Sequence, residues 1–305
     1  MRIVVTGASG QLGTYVIDML TDGHHEIVAW SGRTRLARGT VPLRSVELTD
    51  TRAVARALDD ADPDVLIHMA AVSSVGAAHQ DPRRSAAVNI EGTRLLSEWA
   101  ARRDRRLVYT STDLVFDGAR SWYTEDDAAS PLGVYGQTKH AAERSVLDVP
   151  RGLVARLSLL YGPSVSDREG FFDRATSAMR AGFPQTFFTD EYRTPLDYAT
   201  ASRILVGLAE SETVGLLHLG GPERLSRFEL MGRAALALGI NPELVRPNRR
   251  ADVPFAEPRP ADVSLDTSRF RRLNPDLKLP RVEEAVTARR PPWDLPEDRP
   301  QVPKG

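Results

Sequence analysis

The 305-residue sequence contains no cysteine, which excludes disulfides, thiolate zinc sites and cysteine nucleophiles at once. Neither sign of charge is in excess: 40 Lys and Arg against 41 Asp and Glu leave a formal net charge of -1. No global field therefore draws the chain to nucleic acid or to an anionic membrane, and an anionic ligand has to be held by local arginines. Long apolar runs are missing too. None approaches the roughly 18 residues of a membrane span, and Met1-Arg2-Ile3-Val4-Val5 enters a strand directly instead of forming a signal sequence, so cytoplasmic residence is expected. The six histidines have no metal-ligand spacing, and no metal is expected.

What the sequence does contain is alternation. Short apolar runs recur at Ile3-Val4-Val5, Ile27-Val28-Ala29, Val65-Leu66-Ile67, Leu107-Val108-Tyr109, Leu153-Val154-Ala155 and Leu216-Leu217-His218-Leu219. Helical patterns lie between them, among them Thr51 to Leu58, Pro82 to Arg102 and Tyr135 to Leu147. Repeated βα units predict an α/β fold, a doubly wound parallel sheet with helices on both faces. After Gly162-Pro163 the pattern loosens into short elements rich in Phe, Arg and Pro.

Two spacings carry chemistry. The first strand runs into Thr6-Gly7-Ala8-Ser9-Gly10-Gln11-Leu12-Gly13 and then a helical stretch from Tyr15 to Leu20. A strand, a glycine turn and a helix start set backbone N–H groups and the positive helix end beside a pyrophosphate, which predicts a dinucleotide site. In Val134-Tyr135-Gly136-Gln137-Thr138-Lys139, the tyrosine and lysine fall four apart and share a helix face. A Lys139 ammonium placed below the Tyr135 phenol is expected to lower its pKa and fit it for general acid catalysis.

With these motifs the chain resembles the short-chain dehydrogenase/reductases, in particular the extended branch that acts on nucleotide sugars. The resemblance extends through His68-Met69-Ala70-Ala71, Val88-Asn89-Ile90-Glu91-Gly92-Thr93, and Arg156 through Tyr161-Gly162-Pro163. It is most specific toward the dTDP-4-dehydrorhamnose reductase type, carried by Ser111-Thr112-Asp113 with Val115-Phe116-Asp117-Gly118, Ser130-Pro131-Leu132, and Arg259-Pro260 before Leu265-Asp266-Thr267-Ser268. It implies a Rossmann-type sheet with a smaller, discontinuous C-terminal substrate domain. The expected division gives 1–163 and 194–222 to NADP(H) binding and 164–193 and 223–290 to substrate, with a Pro-rich tail at 291–305.

Cofactor residues follow from both lines of reasoning. Gly7, Ser9, Gly10, Gln11, Leu12 and Gly13 form the pyrophosphate turn. Ala29-Trp30-Ser31-Gly32-Arg33 carries no carboxylate to repel a 2'-phosphate; Ser31 could hydrogen-bond it and Arg33 or Arg35 could pair with it. NADP(H) is favoured, with NAD(H) as the alternative. By resemblance, Leu48 packs beside adenine, Ala70, Ala71 and Val72 line the nicotinamide half, and Lys139 also holds the nicotinamide ribose.

The resemblance makes Thr112, Tyr135 and Lys139 the catalytic set, with Thr112 and Tyr135 converging on a substrate carbonyl oxygen. Ser111 is expected to point to the opposite face of its strand. Related 4,6-dehydratases carry Thr-Asp-Glu where this chain has Thr112-Asp113-Leu114, so the second acid needed for elimination is missing. For the diphosphate of a nucleotide-sugar substrate, the resemblance points to Arg193 and Arg259; each has an alternative as a surface ion pair, Arg193 with Glu191 or Arg259 with Asp262. Simple reduction of a nucleotide-activated 4-keto-6-deoxysugar is the expected activity. A 4-epimerase or another ketoreductase is the enzymatic alternative, and a regulatory module like the beta subunit of methionine adenosyltransferase the other. Homodimerisation is left open; the related reductase that dimerises around magnesium uses glutamates, one soon after the third glycine, whereas Thr14-Tyr15-Val16 follows Gly13 here.

Overall fold

The computed structural model describes residues 1–32, 37–38, 40–166 and 169–288. Its central sheet has the strand order Gly215–Leu219, Gly152–Leu157, Arg106–Thr112, Val65–His68, Arg2–Thr6, Glu26–Ser31, Val41–Ser45, Ala37–Arg38. Seven strands are parallel, and only the two-residue Ala37–Arg38 edge strand runs antiparallel to its neighbour. The inner strands show no alternation of exposed and buried residues because both faces are covered: every residue of Val65–His68, Arg106–Thr112 and Gly152–Leu157 is buried.

One face packs Ile3, Val5, Ile67 and Val108 against Val16, Ile17 and Leu20 of helix Gln11–Thr21 and Ile204, Leu205 and Leu208 of helix Tyr198–Glu210. The other packs Val4, Leu66 and Leu107 against Leu58, Leu96, Trp99 and Val146. From Arg2–Thr6 the chain moves to one side of the sheet and then crosses to the other at Val65–His68. Such a reversal opens a crevice at the carboxyl ends of the strands, where ligands of doubly wound folds bind.

A third cluster forms a separate core from Tyr161, Phe172, Met179, Leu230, Met231, Val245 and Val282. It lies in a smaller lobe built from helices Phe171–Arg180 and Arg227–Ala237 and the parallel pair Gln185–Phe188 and Val245–Asn248. The helix expected from Pro82 to Arg102 is continuous, but a π-helical turn at Ala87–Glu91 interrupts its α-helical hydrogen bonding. Among the described residues no helix is long and apolar enough to cross a membrane. The tail at 291–305 lies outside the described residues.

Candidate active site and dinucleotide cleft

The glycine turn is dictated by close approach. Gly7 adopts φ +72°, and a Cβ there would come within 2.7 Å of the Ala70 backbone nitrogen. Gly10 donates its N–H to the Gly7 carbonyl at 2.9 Å and then begins helix Gln11–Thr21. No side chain caps that helix and no acidic residue occupies its first turn. Its leading N–H groups, which have no acceptor within a helix, are therefore presented toward the cleft as a set of donors suited to an anion.

Two adjoining cavities extend from this turn. One, of about 550 Å³, is lined by Gly7, Ser9, Gly10, Ser31, Leu48, Ala70, Ala71 and Val72. The other, of about 450 Å³, is lined by Gln11, Leu12, Gly13, Thr112, Tyr135, Lys139 and Arg193. They share Gly7, Gly10, Met69, Ala71 and Ser73, so the cleft is continuous. This length, the glycine turn and the uncapped helix together fit a dinucleotide. Of the expected cofactor residues, Arg33 and its alternative Arg35 lie outside the described residues. Glu47 and Arg84, which pair at 3.5 Å, also line the first cavity and were not singled out by sequence. Among the described residues, no cluster of three or more His, Asp or Glu could hold a metal ion.

Tyr135 and Lys139 lie on helix Val134–Leu147, whose position is fixed by residues far away in the chain. Glu257 accepts the Val134 N–H at 2.9 Å, since N-cap Gly133 has no side chain to do so. A Cβ on Gly136 would meet the Leu114 carbonyl oxygen at 2.1 Å, so glycine lets the helix close on the segment that follows Thr112. Asn89, in the π-helical turn, accepts the Val72 N–H at 2.8 Å and donates to the Thr138 hydroxyl at 3.0 Å. It thereby ties the dinucleotide wall to the Tyr135 helix. Fully buried His68 bridges Thr6 at 2.6 Å and Thr93 at 2.9 Å; burial and the nearby Lys139 charge push its pKa down to about 3, so it is neutral.

The electrostatics correct one expectation. Burial, and after it the Asp113 carboxylate, push the Tyr135 phenol up to about 12, with the nearby Thr112 hydroxyl working the other way. Lys139 does not lower it. That ammonium, 2% exposed, is itself depressed to about 7 by burial, with Glu143 opposing, and it lies 4.1 Å from the Tyr109 ring centroid. Tyr135 is therefore a fully protonated donor at neutral pH, yet still a stronger acid than an aliphatic alcohol.

Ser111, which also lines the cleft, donates to Glu143 at 2.6 Å. Arg156 grips the same carboxylate through two hydrogen bonds of 2.9 and 2.7 Å, and His140 contacts it at 3.0 Å. Burial alone would raise Glu143; these partners reverse that and hold it at about 2.

Of the two expected substrate arginines, Arg193 does make its alternative pair with Glu191, though buried and not at the surface, and Arg259 does not make its alternative pair with Asp262. Arg193, 3% exposed, lines the cleft but pairs with Asp113 at 3.0 Å and Glu191 at 3.4 Å. Arg259 pairs with Glu191 at 3.1 Å, while Asp262 takes Arg224 at 2.7 Å. Arg227, unnoticed in the sequence, meets Glu191 at 2.8 Å and lines the cleft. Glu191 is fully buried, which would raise its pKa, but the three guanidiniums hold it at about 2.

Residues 1–289 match the family described as the RmlD substrate binding domain. The chain belongs to this family. This RmlD-family chain is 30% identical over 272 residues to the probable low-salt glycan biosynthesis reductase Agl14 of Haloferax volcanii, with 88% of this chain and 90% of that protein covered. It is 28% identical over 293 residues to methionine adenosyltransferase 2 subunit beta of Rattus norvegicus, with 92% and 84% covered. A crystal structure of dTDP-4-dehydrorhamnose reductase from Bacillus anthracis in complex with NADP matches its fold with a TM-score of 0.82 at 24% identity, over 93% of this chain and 96% of that one.

Proposed function

We propose that the protein is an NADP(H)-dependent oxidoreductase that reduces the keto group of a nucleotide-activated 4-keto-6-deoxysugar. The observation that carries this reading is that Thr112, Tyr135 and Lys139 line the same cleft as the glycine turn. Relatives named as reductases, and a neighbour of like fold in complex with NADP, support it. When bound, the dinucleotide supplies the hydride. The N–H groups of Gln11, Leu12 and Gly13 would hold its pyrophosphate, Ser31 and Leu48 its adenosine end, Ala70 to Val72 one flank, and Lys139 its second ribose. Ser31 at the strand end, in place of a carboxylate, favours the 2'-phosphate form, with NAD(H) as the alternative. Thr112 hydrogen-bonds the substrate carbonyl oxygen, and Tyr135 donates the proton that turns the developing alkoxide into the alcohol. The smaller lobe, around Phe172, Leu230 and Val245, serves as the substrate-binding part.

The test follows NADPH absorbance with purified protein and dTDP-4-keto-6-deoxyglucose, with and without a 3,5-epimerase. Oxidation that depends on the epimerase supports a dehydrorhamnose-type reductase. Binding of NADPH without oxidation of any sugar nucleotide refutes the reductase reading. One observation favours a second reading, a regulatory subunit: the 28% identity to methionine adenosyltransferase 2 subunit beta. A stoichiometric partner recovered with the protein, together with no turnover, would select it.

A further inference from the structure

The cleft wall formed by the smaller lobe carries a charge imbalance. Arg193, Arg227 and Arg259 all converge on Glu191, and only Asp113, on the other side of Arg193, adds a second carboxylate. Three guanidiniums thus face two carboxylates beside a cavity. The three differ in what they have left to offer. Both terminal nitrogens of Arg193 are taken by Asp113 and Glu191, leaving a buried Nε without a partner. Arg259 has its guanidinium near the rings of Phe188 and Phe255, 5.5 and 4.9 Å from their centroids, and is not among the residues lining the cleft. Arg227 does line it. Its Nε donates to Glu191 at 2.8 Å and its guanidinium lies 5.3 Å from the centroid of Phe171, another cleft residue. Among the described residues, no hydrogen bond engages its two Nη groups.

We propose that Arg227, braced by Glu191 and Phe171, grips the phosphate oxygens of the substrate's diphosphate, and that Arg259 acts behind it by holding Glu191. This rests on the nucleotide-sugar reading above and assigns a residue that the family motif did not indicate. A guanidinium fixed along its Nε edge presents coplanar Nη donors, a fork that matches two phosphate oxygens and that an ammonium cannot reproduce. The surplus positive charge gives that anion a reason to enter.

Calorimetric titration of dTDP into NADP-loaded protein tests the assignment. Arg227→Gln should weaken dTDP binding roughly 10- to 100-fold, the range for a lost charge-assisted pair. Arg227→Lys, which keeps the charge and can still reach Glu191, should recover only part of it. With the keto-sugar, KM should rise in Arg227→Gln while kcat stays near wild type, and NADPH binding should be unchanged in both variants. Arg246→Gln, which removes an exposed charge from the same lobe, should change none of these. The assignment fails if Arg227→Gln binds dTDP as the wild type does, if Arg227→Lys restores binding in full, or if NADPH binding falls in parallel. Should Arg227→Gln not fold, Arg227→Lys alone decides between these outcomes. Wild-type protein that binds neither dTDP nor UDP overturns the nucleotide-sugar reading itself, and this proposal with it.

Discussion

Two buried carboxylates beside the cleft, Glu143 and Glu191, are each paired with arginine, to different ends. On the helix that carries Tyr135 and Lys139, Glu143 meets one guanidinium through two hydrogen bonds, with Ser111 and His140 completing its shell. Every partner there comes from a strand or helix of the Rossmann sheet, and Arg156 balances the charge. Across the cleft, Glu191 meets three guanidiniums carried by short strands, a loop and a helix start, with charge left over. Balanced charge fixes geometry, whereas surplus charge beside a cavity leaves capacity for an anion. On the proposed function, the first wall positions the reacting groups and the second holds the anionic substrate.

Removing the phenol oxygen breaks the first wall most sharply. Tyr135→Phe should leave NADPH binding intact and lower turnover by roughly 10²- to 10⁴-fold, the usual contribution of a positioned general acid. Single-turnover and cofactor-titration measurements on the same preparation check this, and wild-type turnover in the variant would refute the role of Tyr135.

Next in size come the carboxylates. Glu191→Gln strands guanidiniums in a buried site and should destabilise the fold by about 3–5 kcal/mol, read from denaturant unfolding. Acid acts on both walls together. Glu143 and Glu191 are held at about 2 in the fold against an ordinary value of 4.5. The unfolded chain therefore binds more protons below pH 4.5, so the stabilisation is complete above that value and is lost progressively as pH falls toward 2. Each Glu→Gln variant should show a shallower acid loss than the wild type. Equal slopes in all three proteins would mean that other groups govern acid unfolding.

The sheet and the catalytic helix were legible because their signals are local. Glycines three apart after a strand, and a tyrosine four residues before a lysine, specify geometry within one turn of chain. The groups that set the site electrostatics were not legible, because their partners are distant: Glu257 caps Val134 from 123 residues away and Arg193 reaches Asp113 across 80. The helical spacing correctly put Tyr135 and Lys139 on one face, but spacing carries no information about dielectric. Burial decides both pKa values, and the folded chain reverses the expected sign for Tyr135. Arg259 was inferred from a motif and Arg227 missed for the same reason: only the fold shows which guanidinium faces the cavity.

The smallest expected effect sharpens the comparison from the cofactor end. Ser31 closes the second strand; its carbonyl accepts the Val46 N–H at 2.8 Å, and it lines the first cavity with Gly32 and Leu48. Ser31→Asp would introduce the carboxylate that a 2'-hydroxyl welcomes and a 2'-phosphate does not. The ratio of kcat/KM for NADPH over NADH should then fall by roughly tenfold or more, the equivalent of about 1.4 kcal/mol or greater. An unchanged ratio would move the reading of the 2'-phosphate away from the strand end, toward Arg84, which lines the same cavity and shares its charge with Glu47 at 3.5 Å. Arg84→Gln would then carry the loss that Ser31→Asp did not.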